Sequence, residues 1–113
     1  MKLWEILVPT EMKHPDIREG DRNWPIPVRY HRVWDKKVRA ITGGLTILKP
    51  AVGHWISPEQ ELFVERMIPV RICCTDGQIE QIADITASYY RQEAVMYYCV
   101  SQQAVIKHYN EGS

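Results

Sequence analysis

Two segments of the chain repeat apolar residues at helical spacing, and shorter segments with strand-like alternation flank and separate them. The first helical segment, 29–44, ends in a glycine pair, which is typical of a helix C-terminus. The second follows Thr75-Asp76-Gly77-Gln78, where Gln stands three residues after Thr as in a capping box. Because each helix must bury its apolar stripe against another layer, this pattern restricts the chain to a few compact arrangements.

The strand-like segments predict a largely antiparallel sheet. In KLWEILVP (2–9) the residues Trp4, Ile6 and Val8 share one face. Three further segments of this kind are LTILK (45–49), VERMIPVRIC (64–73) and AVMYYCV (94–100). Residues 10–26 contain Pro, Gly, Asp and Asn without any period, so they predict a long loop.

The order strand, helix, strand, strand, helix, strand predicts an α+β fold. We expect a ferredoxin-like βαββαβ two-layer sandwich in which both helices cover one face of the sheet. The segment AVIKHY (104–109) is a candidate for an additional C-terminal strand, and residues 1–113 are expected to form one domain. Pro69 conflicts with a regular central strand because proline cannot donate a ladder hydrogen bond, so this position requires a bulge or a sheet edge.

Several glycines and aromatic residues in the middle of the chain form a pattern of their own. They are Gly44-Leu45-Thr46, Gly53-x-Trp55 and Tyr90-x-Gln92-Glu93-Ala94-Val95. Within roughly residues 42–100 this pattern resembles a family of small uncharacterised proteins of bacteria and their phages. The resemblance implies a ferredoxin-like domain and a phage-encoded origin for some members, and it supplies no catalytic residues.

Charge is distributed unevenly along a chain whose net charge is zero. Residues 1–50 hold ten Lys and Arg against six Asp and Glu, whereas residues 51–113 hold four against eight. On the first helix four cations fall opposite the apolar stripe and form a basic face: Arg29, Arg32, Lys36 and Arg39. Ordinary exposed faces mix both signs, so the basic face is a candidate ligand site, the alternative being a solvated helix surface.

Aromatic residues favour a ligand that offers a ring. The chain has four Trp and six Tyr but one Phe, and Trp and Tyr suit half-buried stacking positions. We expect Trp24, His54 and Trp55 to contribute to the site. The alternative for Trp55 is that it belongs to a hairpin turn and folds into the core. The basic face is short for a duplex, so a small anion such as a nucleotide is favoured over long nucleic acid.

The sequence predicts no catalytic residue, metal site or cofactor. The four histidines stand far apart in the chain, and neither Cys-x-x-Cys nor His-x-x-x-His spacing occurs. A small metal-independent enzyme acting on a phosphate or small acid, with His31 or His54 as its acid–base group, remains the alternative function.

The last strand carries apolar residues on both faces, and helices cover one face only. We therefore expect an exposed sheet face with Met67, Tyr97 and Cys99 that forms a homodimer or higher homo-oligomer. Residues 10–26 or 50–63 of the same chain could cover this face instead, and a protein-interaction module docking through it is a third functional hypothesis.

The leading hypothesis is a non-enzymatic, homo-oligomeric protein that binds a small anionic ligand. The N-terminal residues lack the features of a signal peptide, and no apolar run approaches a membrane span. The adjacent Cys73 and Cys74 suggest no disulfide framework, so a cytoplasmic location is expected.

Overall fold

The computed structural model describes residues 1–14 and 23–110. Two helices and seven strands follow one another in these ranges: β1 (Lys2–Pro9), β2 (Glu11–Lys13), β3 (Asn23–Pro25), α1 (Val28–Thr42), β4 (Thr46–Ile47), β5 (Ala51–Ile56), β6 (Leu62–Cys74), α2 (Asp76–Tyr89) and β7 (Tyr97–Ser101).

The main sheet is antiparallel throughout. Strand β1 lies between β6 and β7, and β4 and β5 pair in succession with β6 along its other side. Both helices contact each other and one face of the sheet, α2 through β1 and α1 through β6. The expected α+β, ferredoxin-like two-layer architecture is confirmed.

The core lies between the helices and the inner face of the sheet. Ile6 and Val8 of β1 are buried there, as the alternation in 2–9 predicts. Helix α1 contributes Trp34 and Val38 from its apolar stripe, while Tyr30 and Ile41 at the ends of that stripe are half-buried against the core. Helix α2 contributes Ile79 and Ile82, and β6 contributes Val70, Ile72 and Cys74.

Both helices have the ends that the sequence predicts. Gly43 adopts φ 85° after α1, and its N–H donates to the Arg39 carbonyl. Before α2, the Gln78 N–H donates to Thr75 Oγ1 at 3.2 Å and the Thr75 N–H donates to Gln78 Oε1 at 3.0 Å, which completes the capping box. These local interactions explain why the helix boundaries could be predicted.

Three predictions about secondary structure are wrong. The predicted loop at 10–26 contains the β2–β3 ribbon, because Met12 and Ile26 are buried in the core and draw both strands onto it; residues 15–22 of that prediction lie outside the described residues. Residues 104–109 form no strand, and the last strand begins at Tyr97 rather than 94. Ala104 donates its N–H to the Met1 carbonyl, but no ladder follows.

Pro69 lies in the central strand β6, opposite the point where the pairing of β6 passes from β4 to β5 and is interrupted. Val70 pairs with Ile47, and Met67 pairs with Ala51. Between these two pairs, the three edge residues 48–50 lie opposite the two residues 68–69 of β6. The Pro69 carbonyl accepts from the Leu48 N–H at 2.9 Å, which shows that its backbone faces this bulge rather than β1. The missing N–H therefore falls where the edge ladder is already interrupted.

Strands β5 and β6 extend beyond the helices as a hairpin arm (residues 51–67). Nearly all of its side chains are exposed, and its turn is held by the Ser57 N–H donating to the Glu61 carbonyl. The Cα radius of gyration is 16.2 Å, whereas a compact chain of this length has about 13 Å. Neither described helix is long and apolar enough to cross a membrane.

Candidate functional site

The basic face of α1 points to solvent, as predicted, but its four cations are not equivalent. Arg39 forms an ion pair with Asp35 one turn earlier, with 2.7 Å between Nε and Oδ1, so its charge is compensated within the helix. The Arg29 guanidinium lies 5.4 Å from the ring centroid of Tyr30. Arg32 and Lys36 form no ion pair with any residue in 1–14 or 23–110.

A groove runs beside the basic face, between α1 and α2. Its volume is about 600 Å³, and it is a shallow depression that is widely open to solvent. Six residues line it: Lys37 from α1, then Asp84, Ile85, Ser88 and Tyr89 from α2, and Arg91 just beyond that helix. Ile85 and Tyr89 are half-buried and form its apolar floor, whereas the other four side chains are exposed and polar.

The groove carries side chains of both charge signs. Lys37 Nζ lies 4.6 Å from the ring centroid of Tyr89, and Arg91 follows the end of α2. Asp84 lies five residues before Tyr89, more than one turn earlier on α2. Lys37 and Asp84 form no ion pair with each other or with any other described residue, so both charged groups are open to solvent or a ligand.

Aromatic side chains beneath the groove hold the two helices together. Trp34 Nε1 donates to Thr86 Oγ1 at 2.9 Å, and the Thr86 hydroxyl donates to the Ile82 carbonyl at 2.6 Å. The Tyr90 hydroxyl lies 2.7 Å from His31 Nδ1. Burial lowers the pKa of His31 below its ordinary value and raises the pKa of Tyr90 above its own.

Trp24 lies near the start of α1, but it is not a free stacking surface. Its ring packs edge-on against Tyr30 at 5.4 Å and against His14 at 4.7 Å, and it is half-buried against the core. The β2–β3 ribbon thus places Trp24 beside the start of α1 with its ring against Tyr30, and its role as a ligand contact stays a prediction.

His54 and Trp55 lie on the hairpin arm rather than beside the basic face. They pair with Val64 and Phe63 across the arm, and both are exposed. The structure describes no hydrogen bond, ion pair or ring contact between either residue and α1. The predicted grouping of these two residues with the arginines is wrong, because β5 is carried away from the helices by the length of β6. The alternative placing of Trp55 in the core is also wrong.

The three predicted interface residues do not share a face of the sheet. Tyr97 pairs with the buried Ile6, and Cys99 pairs with Trp4, so both side chains lie on the helix-covered face. Tyr97 packs edge-on against Trp4 at 5.9 Å. Met67, by contrast, is an odd-numbered residue of β6 and lies on the outer face, since Val70 and Ile72 face the core.

The outer face of the sheet carries an ion pair. Glu5 is 6% exposed, and its Oε1 accepts from Arg71 Nε at 3.0 Å. Glu5 pairs with Tyr98 in the neighbouring strand, so Tyr98 is the residue of β7 that points outward here. The residue of β7 that points outward is therefore Tyr98 rather than the predicted Tyr97.

Metal-ligating residues do not cluster in the described ranges. No group of three or more His, Cys, Asp or Glu side chains comes together in them. Cys73, Cys74 and Cys99 are all free thiols, and burial raises the pKa of Cys74 to about 11. The thiol of Cys74 is therefore protonated at neutral pH and belongs to the core.

The groove contains residues that the sequence analysis did not select. Lys37 is not on the predicted basic face, because its position seven residues after Tyr30 places it on the flank of the apolar stripe. Tyr89 and Arg91 gave no local signal, since their approach to Lys37 depends on how α2 packs against α1.

Comparison with known proteins identifies similar folds. No protein-family model matches the sequence, and no curated protein matches it. The periplasmic divalent cation tolerance protein CutA from Archaeoglobus fulgidus superposes with a TM-score of 0.61 and 7% identity, covering 94% of this chain and 87% of that chain. A single-residue variant of CutA1 from Pyrococcus horikoshii OT3 superposes with a TM-score of 0.60 and 6% identity, covering 95% and 88%.

At these identities the likeness concerns the fold alone. The chain shares the two-layer, ferredoxin-like arrangement of the CutA structures over nearly its whole length. The resemblance to uncharacterised bacterial and phage proteins is not tested by this likeness and stays a prediction.

Proposed function

We propose that this chain is a non-enzymatic, homo-oligomeric protein that binds a small anionic ligand, with nucleotides as the first class to test. The observation that carries the ligand part is the set of exposed cations along α1. Arg32 and Lys36 have no carboxylate partner among the described residues, and Lys37 continues the positive surface into the groove. Phosphate groups are the usual partners of such positive surfaces.

The hairpin arm supports the oligomeric part of the proposal. Six large apolar side chains on it are between 41 and 70% exposed: Val52, Trp55, Ile56, Leu62, Phe63 and Val64. Strand β5 is paired on one side only, so its other edge has no strand partner within the described residues. An exposed apolar edge strand is a site where another chain adds on, and a second copy supplies a complementary edge.

A thermal-shift screen over nucleotides and small anions tests the ligand part. A ligand present at 100 times its dissociation constant stabilises the fold by about 2.7 kcal/mol, which raises the melting temperature by about 10 °C. The double substitution Arg32→Gln with Lys36→Gln should reduce this shift. The control is Lys49→Gln with Lys107→Gln, which removes the same charge from exposed positions outside α1. The absence of any shift, or equal shifts in both variants, would contradict the proposal.

None of the three alternative functions has an observation that favours it to the same degree. An enzyme would use His31 or His54, but His31 is hydrogen-bonded to buried Tyr90 and His54 stands on the exposed arm. A divalent-cation function would rest on the names of proteins that are 6–7% identical to this chain. The arm also suits a different protein partner, and a stoichiometric heteromeric complex would identify that alternative.

A cytoplasmic location is part of the proposal. All three cysteines are free, and such thiols persist in reducing compartments.

A further inference from the structure

Strand β5 has a free edge whose backbone groups can be assigned from the ladder. The Ser57 N–H donates to the Glu61 carbonyl, which makes these two residues a hydrogen-bonded pair. Hydrogen-bonded and non-hydrogen-bonded pairs alternate along an antiparallel ladder, so every second residue of β5 turns its N–H and C=O away from β6. These residues are Val52, His54 and Ile56. No strand in the described part of the chain pairs with this side of β5.

A hydrogen bond on the other strand of the arm agrees with this assignment. Arg66 is the partner of Val52, and its carbonyl accepts from Thr10 Oγ1 at 3.0 Å. Thr10 follows β1, on the side of β6 opposite to β5. The backbone groups of this pair therefore point away from each other, as a non-hydrogen-bonded pair requires.

The C-terminal tail (residues 102–110) is a strand-forming segment that its own sheet does not pair. The Ala104 N–H donates to the Met1 carbonyl, and beyond it residues 105–109 make no backbone hydrogen bond to any described residue. Val105, Ile106 and Tyr109 are 78, 56 and 76% exposed. β-Branched and aromatic residues such as these favour strands.

From these two features we infer that the tail of one copy adds to the β5 edge of a second copy as a further strand. The inference rests on the proposed homo-oligomeric function and names the segment that occupies the edge. Residues 105–109 span about 17 Å when extended, and the six residues of β5 span about 20 Å, so the lengths match. Main-chain hydrogen bonds would hold the added strand, with its apolar side chains beside those of the arm.

The topology of the sheet makes this a contact between different copies. Strands β6 and β1 separate β5 from β7, so the tail leaves the sheet at the edge opposite to β5. Each copy therefore offers a tail at one edge and accepts a tail at the other. Such a head-to-tail contact is heterologous, and it repeats until the assembly closes into a ring.

Charge favours the tail over a second arm as the occupant of the edge. The arm carries three acids, Glu59, Glu61 and Glu65, against one cation, Arg66. None of these carboxylates forms an ion pair with a described residue. The tail carries Lys107 and no acid. Two arms placed edge to edge would bring like charges together, whereas a tail brings a cation to an acidic arm.

Native mass spectrometry of the full chain and of two proline variants tests the inference. His54→Pro removes an outward N–H from β5 and spares the ladder with β6, which does not use this N–H. Val105→Pro with Ile106→Pro removes two successive N–H groups, one of which faces the partner in either register. Each variant should raise the dissociation constant of the assembly about tenfold or more, because a ladder hydrogen bond is lost and the proline ring obstructs the approach.

Threonine variants at the same positions are the matched controls. His54→Thr, and Val105→Thr with Ile106→Thr, keep every N–H group and the preference for strands. Both should assemble as the unsubstituted chain does. Circular dichroism checks that each variant is folded.

Mixing the two proline variants tests the direction of the contact. The His54→Pro chain retains an intact tail, and the other variant retains an intact edge. An equimolar mixture should therefore form a complex of one copy of each, which neither variant forms alone. Labelling one variant with heavy nitrogen distinguishes this mixed pair by its mass.

The outcomes separate the inference from the proposed function. Assembly that survives either proline variant, or a mixture that forms no mixed pair, would overturn the inference and leave homo-oligomerisation in place. Threonine controls that dissociate as the proline variants do would also overturn it. An unsubstituted chain that is a single subunit at micromolar concentration would contradict the proposed function as well. Two dissociated proline variants that combine with each other would support both.

Discussion

At the scale of single residues, the indole of Trp34 joins the two helices through a buried hydrogen bond. It donates to Thr86 Oγ1, and Thr86 is itself fully buried and satisfied by the Ile82 carbonyl. Each polar atom in this short relay has a partner, which is the condition under which buried polar groups stabilise a core.

Removing the Thr86 hydroxyl should be costly because it leaves the Trp34 N–H buried without an acceptor. We predict that Thr86→Val lowers the free energy of unfolding by about 1–3 kcal/mol, measured by urea denaturation. In a Trp34→Phe background the same substitution should cost less, since no indole N–H remains to be left unpaired. An equal cost in both backgrounds would show that this hydrogen bond contributes little.

His31 should make stability depend on pH. Burial lowers the pKa of its imidazole in the folded chain below the ordinary value of 6.5, and Asp35 on the next turn is engaged with Arg39. The unfolded state therefore binds more protons between the lowered pKa and about 6.5, so the free energy of unfolding falls as pH decreases through this window.

Denaturation curves at a series of pH values measure the effect. The slope of stability against pH between 7 and the lowered pKa should be smaller in His31→Gln than in the unsubstituted chain. The variant His108→Gln, an exposed histidine in the C-terminal tail, serves as the control and should retain the original slope. Identical slopes for the His31 variant and the original chain would contradict the assignment.

At the scale of secondary-structure elements, the end of α1 depends on the backbone conformation of one glycine. Gly43 has φ 85°, whereas Gly44 does not adopt the left-handed region, and a Cβ at either position would meet no atom within 4 Å. The two glycines therefore differ in conformation but not in available space.

This difference yields a matched pair of substitutions. Gly43→Ala should destabilise the fold by about 1–2 kcal/mol, because a left-handed conformation is unfavourable for an L-residue with a Cβ. Gly44→Ala should be neutral or slightly stabilising, because alanine restricts the unfolded chain. Thermal or urea unfolding of the two variants measures the effect, and similar changes in both would show that the positive φ is not the cause.

Local patterns made the element order, the helix ends and the inner face of β1 predictable. The capping box at Thr75 and Gln78 and the glycine after α1 involve residues only a few positions apart. The face of Tyr97 was not predictable in this way, because it depends on the register with Ile6, more than 90 residues away in the chain. The same reason explains why Lys37, Tyr89 and Arg91 were missed as neighbours.

At the scale of the whole molecule, the extended hairpin arm is the feature that a solitary chain does not explain. Its pairs include Ile56 with Leu62 at the tip and Trp55 with Phe63 on the other face, so apolar residues occupy both faces. The Trp55 side chain folds back over Gly53 toward Met67. A Cβ added at Gly53 would lie 2.9 Å from the Met67 methyl carbon. A single chain thus builds an ordered apolar surface outside its core, consistent with a surface for another copy.

The most direct test of the proposed homo-oligomeric binding protein is a native mass spectrum of the purified chain. We predict a species whose mass is that of two or more subunits of 13.2 kDa each. The double substitution Ile56→Lys with Leu62→Lys should shift it toward one subunit, whereas Val28→Lys, an equally exposed apolar position at the start of α1, should not. A spectrum of the unsubstituted chain at micromolar concentration that shows only single subunits without a bound anion would contradict the account.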